Sequence, residues 1–288
     1  MKIYLAPMEG LADVFLRKLI TQAGAYDLVI TEFVRVTDQK LPNRVFLRQI
    51  PELNNDSFTD SGTPVRVQLL GNHPQALALN ALAACQLGSK GIDLNFGCPS
   101  KTVNKSQGGA ILLREPETIF QAVKAVREAL PDNQIVSAKM RLGYEDTSLM
   151  WDCAQAIAAA GANELKLSIP VVINGEIWSV GDAIQAMKES NTNAVMLGRG
   201  AVQNPFLASQ IKTNPSEMIE TVNWKLIKPY VKSFWQIVRK EMSDRYCAGR
   251  LKQWLKHLAQ QYPEAEELYY SIRSEKDTDS ITDIITGL

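Results

Sequence analysis

The sequence holds only four cysteines, Cys85, Cys98, Cys153 and Cys247, and no two of them form a CxxC pair. That spacing argues against a structural zinc site and against a disulfide framework, so no metal is expected. Net charge is also missing, because 31 basic residues balance 31 acidic ones. Any nucleic-acid contact must then come from a local patch and not from a global field. No apolar run reaches membrane-spanning length. The first residues, Met1-Lys2-Ile3-Tyr4-Leu5-Ala6, lead straight into a strand with no signal peptide, so the expected location is the cytoplasm. No GxGxxG follows a strand, which leaves the nicotinamide preference unreadable. No spare apolar stripe stands out, and a monomer is expected.

What is present is an ordinary globular composition, 45% hydrophobic and 22% charged over 288 residues. That length suits one large α/β domain with a small appendage. Short apolar strands alternate with amphipathic helices from the N-terminus onward. Ile3–Ala6 is a strand, and residues 13–23 are a helix with Asp13 as N-cap and Gly24 as its stop. Strands follow at 27–31, 65–71, 91–96, 135–143, 171–176 and 194–200, with helices at 74–87, 117–129, 149–160 and 180–187. A polar loop is expected over 51–64. This alternation implies parallel βα units, and their count predicts a (β/α)8 TIM barrel.

The count fails at one place. Asn163-Glu164-Leu165 reads as the start of a sixth strand, yet Ile169-Pro170-Val171 already begins the next. A parallel pair needs a crossover of about a dozen residues or more. One βα segment is therefore expected to be missing after Leu165. Either the barrel lacks it or a piece between Leu165 and Lys166 is absent from the sequence, and the second is favoured because a barrel short of a helix would expose its strands.

Beyond residue 214 strand signals stop, which predicts a barrel over 1–214 and a small all-helical domain over 215–288. Nine cations fall between Lys225 and Lys256 (Arg250 and Lys252 among them), opposed only by Glu241 and Asp244. Trp224, Phe234, Trp235 and Trp254 recur among them at helical spacing. Such a run is either a solvated helix surface or a phosphate-contacting face.

The stretch with most chemistry in it is Gly91-Ile92-Asp93-Leu94-Asn95-Phe96-Gly97-Cys98-Pro99-Ser100-Lys101. Gly97 and Pro99 end the strand and put Asn95 and Cys98 at its carboxyl end, where barrels keep their chemistry. Cys98 is then a nucleophile or proton donor, or else a small buried hydrophobe. Other strand ends offer Gln68, Lys139, Arg141, Asn174 and Arg199. The late glycine turns Asn174-Gly175-Glu176 and Gly198-Arg199-Gly200 suggest a phosphate site for a nucleotide or flavin, with Lys139 near the electron-rich part of a flavin ring.

Taken together, these segments resemble a known family. Pro7-Met8-Glu9-Gly10, Val67-Gln68-Leu69-Leu70-Gly71, Asp93 to Pro99, Gln107-Gly108-Gly109-Ala110, Lys139-Met140-Arg141-Leu142-Gly143, Asn174-Gly175-Glu176 and Gly198-Arg199-Gly200 resemble the tRNA-dihydrouridine synthases, in order and over nearly the whole chain. Glu9 and Glu32-Phe33-Val34-Arg35 resemble the bacterial C subfamily, associated with uridine 16 of the D-loop. The resemblance implies an oxidoreductase with a TIM barrel that binds FMN and a helical domain that binds tRNA. NADPH reduces the flavin, hydride passes to C6 of the uracil, and Cys98 donates a proton to C5. It implies Pro7, Met8, Glu9, Gln68 and Lys139 at the flavin, and Asn174, Gly175, Glu176, Gly198 and Arg199 around its phosphate. Asn95 and Arg141 are expected at the uracil, and Arg35, Arg250, Lys252 and Arg273 at the tRNA. One departure stands out. The family's His-Ala/Gly-Arg-Thr segment has no counterpart between Leu165 and Val171, and the two histidines, His73 and His257, lie elsewhere. Two other readings remain: a tRNA-binding protein without catalysis, and a flavin barrel that reduces small pyrimidines.

Overall fold

In the computed structural model, residues 1–100, 102–103, 107–162, 171–213 and 222–288 are described. The chain opens with β1 (Lys2–Leu5), α1 (Val14–Ala23), β2 (Leu28–Arg35), α2 (Asn43–Gln49), β3 (Val65–Leu70) and α3 (Pro74–Gln86). It continues through β4 (Ile92–Phe96), α4 (Pro116–Ala129), β5 (Val136–Met140), α5 (Met150–Ala159), α6 (Val180–Ser190) and β6 (Ala194–Leu197). Thereafter the described residues form helices alone: α7 (Arg199–Gln203), α8 (Leu207–Thr213), α9 (Trp224–Glu241), α10 (Asp244–Leu258), α11 (Pro263–Ile272) and α12 (Thr278–Thr286).

The chain divides into two compact units, one of Leu28–Val171 and one of Met1–Asp27 with Val172–Leu288. In the first, β2, β3, β4 and β5 lie side by side, each pairing parallel. The sequences of β3, VRVQLL, and β4, IDLNF, are buried along their whole length, as strands covered on both faces must be. Apolar residues of α4 recur as Ile119, Ala122, Val123 and Val126, the spacing of a single helical stripe, and α4 packs on α3. β5 is half-exposed beyond Val136. Among the described residues it pairs only with β4.

In the second unit β1 runs parallel to β6, with Ile3 opposite Val195. α1 begins as expected: Asp13 Oδ1 accepts from the Leu16 N–H at 2.9 Å. It also ends at Gly24, but for a different reason. Gly24 has a negative φ, and a Cβ there would lie 2.5 Å from the Tyr26 ring. The expected strand at 171–176 shrinks to one parallel bridge, Ile173 opposite Val195. Glu176 at φ +43° takes the chain out of extended geometry there. α9 buries Ile227, Val231, Phe234, Trp235 and Val238, and Phe234 meets Trp254 of α10 edge-on at 4.8 Å. The Trp254 indole donates to the Val202 carbonyl at 3.1 Å, fixing α10 on α7.

Within the loop expected over 51–64 the chain makes one 3-10 turn, Pro51–Asn55, and α2 lies ahead of it without having been anticipated. The expected sixth strand at 163–165, the junction after Leu165 and the expected domain boundary at 214–215 lie outside the described residues.

Candidate functional site

Strand register builds the first part of the site. Gln68 lies opposite Asp93, Asp93 opposite Ser137, and Asn95 opposite Lys139. Paired residues on neighbouring strands point to one side, and two residues further along the side repeats. Gln68, Asp93, Ser137, Asn95 and Lys139 therefore share one face in the unit of residues 28–171.

Their hydrogen bonds form a continuous set. Asp93 accepts from Gln68 Nε2 at 2.7 Å and from Ser137 Oγ at 2.6 Å. Gln68 Oε1 accepts from Asn95 Nδ2 at 2.8 Å. Asn95 Oδ1 in turn accepts from the backbone N–H groups of Gly97 and Cys98 at 3.0 and 2.9 Å. The Cys98 carbonyl accepts from the Ala110 N–H at 3.0 Å, so the cysteine is pinned on both sides. Gly109 permits that approach: it sits at φ +69°, and a Cβ would come within 2.8 Å of the Cys98 oxygen. Burial raises the Asp93 pKa, against which the bonds from Gln68 and Ser137 and the charges of Arg66 and Lys139 act. Burial also lowers the Lys139 pKa, with Asp93 working the other way. The Lys139 ammonium has no hydrogen-bond partner among the described residues.

Arg141 lies just past the end of β5 and is exposed. Arg35 donates to the Thr102 carbonyl at 3.2 Å. It lines a cavity of about 220 Å³ with Asp38, Asn72, His73 and Gly108. That cavity does not include Cys98.

In the other unit the residues after β1 and β6 meet. Met8 Sδ would lie 3.9 Å from a Cβ on Gly198, and the Ala6 N–H donates to the Leu197 carbonyl at 2.8 Å. Pro7 and Met8 are half-buried, while Glu9 is exposed. Asn174 donates to the Met196 carbonyl at 2.9 Å. Glu176 pairs with Arg199 at 3.0 Å, and the Arg199 guanidinium lies 5.1 Å from the Trp178 ring centre. Gly175 is exposed beside them. Burial lowers the His257 pKa, and the nearby charges of Arg199 and Arg250 lower it further, which marks a cationic locality.

The cationic helical run splits in two. Arg250 is 7% exposed and bonds to Asp13 Oδ2 at 2.7 Å and the Leu11 carbonyl at 2.7 Å. Lys252 donates to the Glu275 carbonyl, and Lys228 and Lys232 donate to the carbonyls of Leu288 and Thr286 at the C-terminal end of α12. Arg239 pairs with Asp244 and Asp279. Lys225, Lys240, Arg245 and Lys256 are exposed, as is Arg273, which stacks on Tyr270. Arg250, expected at the tRNA, is thus a buried clasp on the loop that precedes α1. Asp93 is the functional candidate that sequence reasoning passed over. Its signal, a carboxylate inside an otherwise apolar strand, was in view within the cysteine motif.

Among the described residues no cluster of three or more His, Cys, Asp or Glu could hold a metal, and no helix is long and apolar enough to cross a membrane. Comparison with known proteins gives a family match. The model described as "Dihydrouridine synthase (Dus)" matches residues 4–167 and again 164–277. A protein named tRNA-dihydrouridine(16) synthase from Aquipseudomonas alcaligenes is 43% identical over 311 residues, covering 99% of both chains. One of the same name from Shewanella oneidensis is 43% identical over 313 residues, covering 99% of this chain and 97% of the relative. The Escherichia coli K12 protein of that name is 45% identical over 299 residues, covering 95% and 94%. A solved structure of a variant of NCR from Zymomonas mobilis superposes with a TM-score of 0.50 at 14% identity, covering 77% of this chain and 89% of that one. With the strand–helix alternation, this likeness bears out the TIM-barrel class with a helical C-terminal region.

The comparisons also bear on the interrupted count. An alignment of 311 positions onto a chain of 288 residues leaves at least 23 positions with no residue from this chain. The two stretches of the family match meet at residues 164–167. That junction is also where the strand count fails.

Proposed function

The chain belongs to the dihydrouridine synthase family, and from that premise we propose that it reduces the C5–C6 bond of a uridine in tRNA, with uridine 16 of the D-loop as its target. The observation that carries this reading is the doubly pinned Cys98 loop beside the Gln68–Asn95 pair. A thiol held at a strand end, with amides next to it to grip a base, suits proton donation to a pyrimidine ring.

The residues present suit a flavin. Lys139 offers a desolvated ammonium, near the Asp93 charge and without a hydrogen-bond partner among the described residues, the chemistry wanted beside an electron-rich ring. Met8 and Gly198 adjoin, and Arg199 lies in a cationic locality that suits a phosphate. Pro7, Met8, Glu9, Gln68 and Lys139 would border FMN, and Asn174, Gly175, Glu176, Gly198 and Arg199 would hold its phosphate end. FMN held there, reduced by NADPH, would supply the hydride that C6 of the uracil needs. Cys98 gives its Sγ proton to C5 and regains one from solvent. Asn95 and Arg141 orient the base, and a base from folded tRNA must be swung out to reach them. A barrel domain over 1–214 and a helical domain over 215–288 divide the work, with Arg35, Lys252, Arg273 and the exposed cations of α9 and α10 toward the tRNA. A cytoplasmic monomer fits these roles.

One observation favours a second reading, a tRNA-binding protein without catalysis: the family match comes in two stretches that meet at residues 164–167. The two readings separate in one experiment. A purified protein with a flavin absorption spectrum, and tRNA lacking dihydrouridine at position 16 in cells deleted for the gene, is the expected result. A colourless protein and unchanged tRNA would favour the second reading.

A further inference from the structure

Asp93 is 2% exposed, in the middle of β4. Both Asp93 oxygens accept here, Oδ2 from Gln68 and Oδ1 from Ser137, whereas an amide side chain has one donating end and one accepting end. Because Asp93 accepts from Gln68 Nε2, the Gln68 oxygen must face Asn95. Because that oxygen takes the Asn95 Nδ2, the Asn95 oxygen must face the N–H groups of Gly97 and Cys98. Every donor in the chain points back toward Asp93. Turning either amide over would set two donors or two acceptors against each other.

We propose that Asp93 is a positioning residue, which fixes the orientation of the Gln68 and Asn95 amides and through them the place of the Cys98 thiol. The inference rests on Cys98 being the proton donor. A fully buried carboxylate is costly even when hydrogen-bonded, and an apolar residue of similar size would pack in the strand at lower cost. Ser137 and Arg66 secure the carboxylate from the far side: Ser137 Oγ donates to it and accepts from Arg66 Nη1 at 3.0 Å. The whole set lies within the unit of residues 28–171.

The test compares Asp93→Leu with Asp93→Asn in the full-length protein. Asn keeps a carbonyl oxygen for Gln68 Nε2 and an amide for Ser137 Oγ, so it preserves the amide order; Leu removes it. The first readout is the rate of Cys98 alkylation by iodoacetamide, taken by peptide mass spectrometry against Cys85 in the same sample. The second is kcat set against the KM for tRNA. Asp93→Leu is expected to change Cys98 alkylation by about fivefold or more and to lower kcat by about tenfold, with KM and flavin content within about twofold. Asp93→Asn is expected to restore both readouts to within about threefold of the parent. Should Asp93→Leu fail to fold, Gln68→Met interrupts the same chain one link on and must shift the alkylation rate likewise. Alkylation unchanged in the interrupting variant, or Asn behaving no better than Leu, overturns the inference. Alkylation needs no tRNA turnover. A protein that shows the alkylation shift but makes no dihydrouridine therefore sinks the enzymatic reading alone.

Discussion

Cys98 is useful only where its thiol is held, and single residues decide that. Replacing it with Ala is expected to lower dihydrouridine formation by about 10²–10⁴-fold, the usual worth of a positioned proton donor. Flavin content and tRNA affinity should stay as they are, which an absorbance spectrum and a gel-shift titration would check. Gly109→Ala is expected to be nearly as harmful, because it needs both a left-handed φ and space against the Cys98 oxygen. Its signature would be altered Cys98 alkylation in a protein that still folds. Asp93 sets a pH dependence. Its pKa in the folded protein is raised by burial, so the native state holds its proton to higher pH than the unfolded chain does. Stability is then lost as pH rises from the ordinary carboxylate range through the raised value. Urea midpoints across that window should fall with pH in the parent and fall less in Asp93→Asn. The cysteine loop was legible because Gly97, Cys98 and Pro99 are local punctuation. The role of Asp93 was not, because the row Gln68–Asp93–Ser137 exists only once the register of three strands is set.

At the scale of elements, α10 is tied to the start of α1. Arg250 bonds to Asp13 and to the Leu11 carbonyl, and Gln253 reaches the Gly10 carbonyl at 2.8 Å. The loop that follows Met8 and Glu9 is thereby fastened by a helix more than 200 residues away in sequence. Arg250→Ala should cost about 2–3 kcal/mol, less than the 3–5 typical of a fully buried pair, because Asp13 keeps some access to water. Thermal melting would register this as a fall of several degrees, and a melting point unchanged within about one degree would contradict it. The nine-cation run read as one face, but packing uses Lys228, Lys232, Arg239, Arg250 and Lys252 internally. Charge counts along a helix cannot separate the cations that cap α12 from those that face water. Helices α1, α3 and α4 were legible from caps and apolar spacing. α2 was missed, and the strand expected at 171–176 kept a single bridge, since a strand so short depends on its neighbours for pairing.

For the molecule as a whole, the distinguishing feature is a family match that comes in two stretches meeting at residues 164–167. Ile135, Leu142, Trp151 and Val171 are large apolar side chains left exposed on either side of that point, at 42%, 66%, 69% and 57%. β5, which carries Lys139, is an edge strand among the described residues. If a βα segment is missing after Leu165, grafting the corresponding stretch of the Shewanella oneidensis relative between Leu165 and Lys166 is expected to raise both the melting temperature and the flavin content of the purified protein. No gain in either would mean that the chain has adapted to its shorter barrel. Affinity for tRNA should depend on salt, with a log–log slope of about −2 to −4 if the exposed cations of α9 and α10 meet phosphates. The measurement that bears most directly on the account is reconstitution with unmodified tRNA transcript, NADPH and the FMN-loaded protein, followed by mapping of the product. NADPH consumed in proportion to dihydrouridine at position 16, and neither seen with Cys98→Ala, is the predicted result. NADPH consumed with no dihydrouridine formed, or product formed equally well without the thiol, would contradict it.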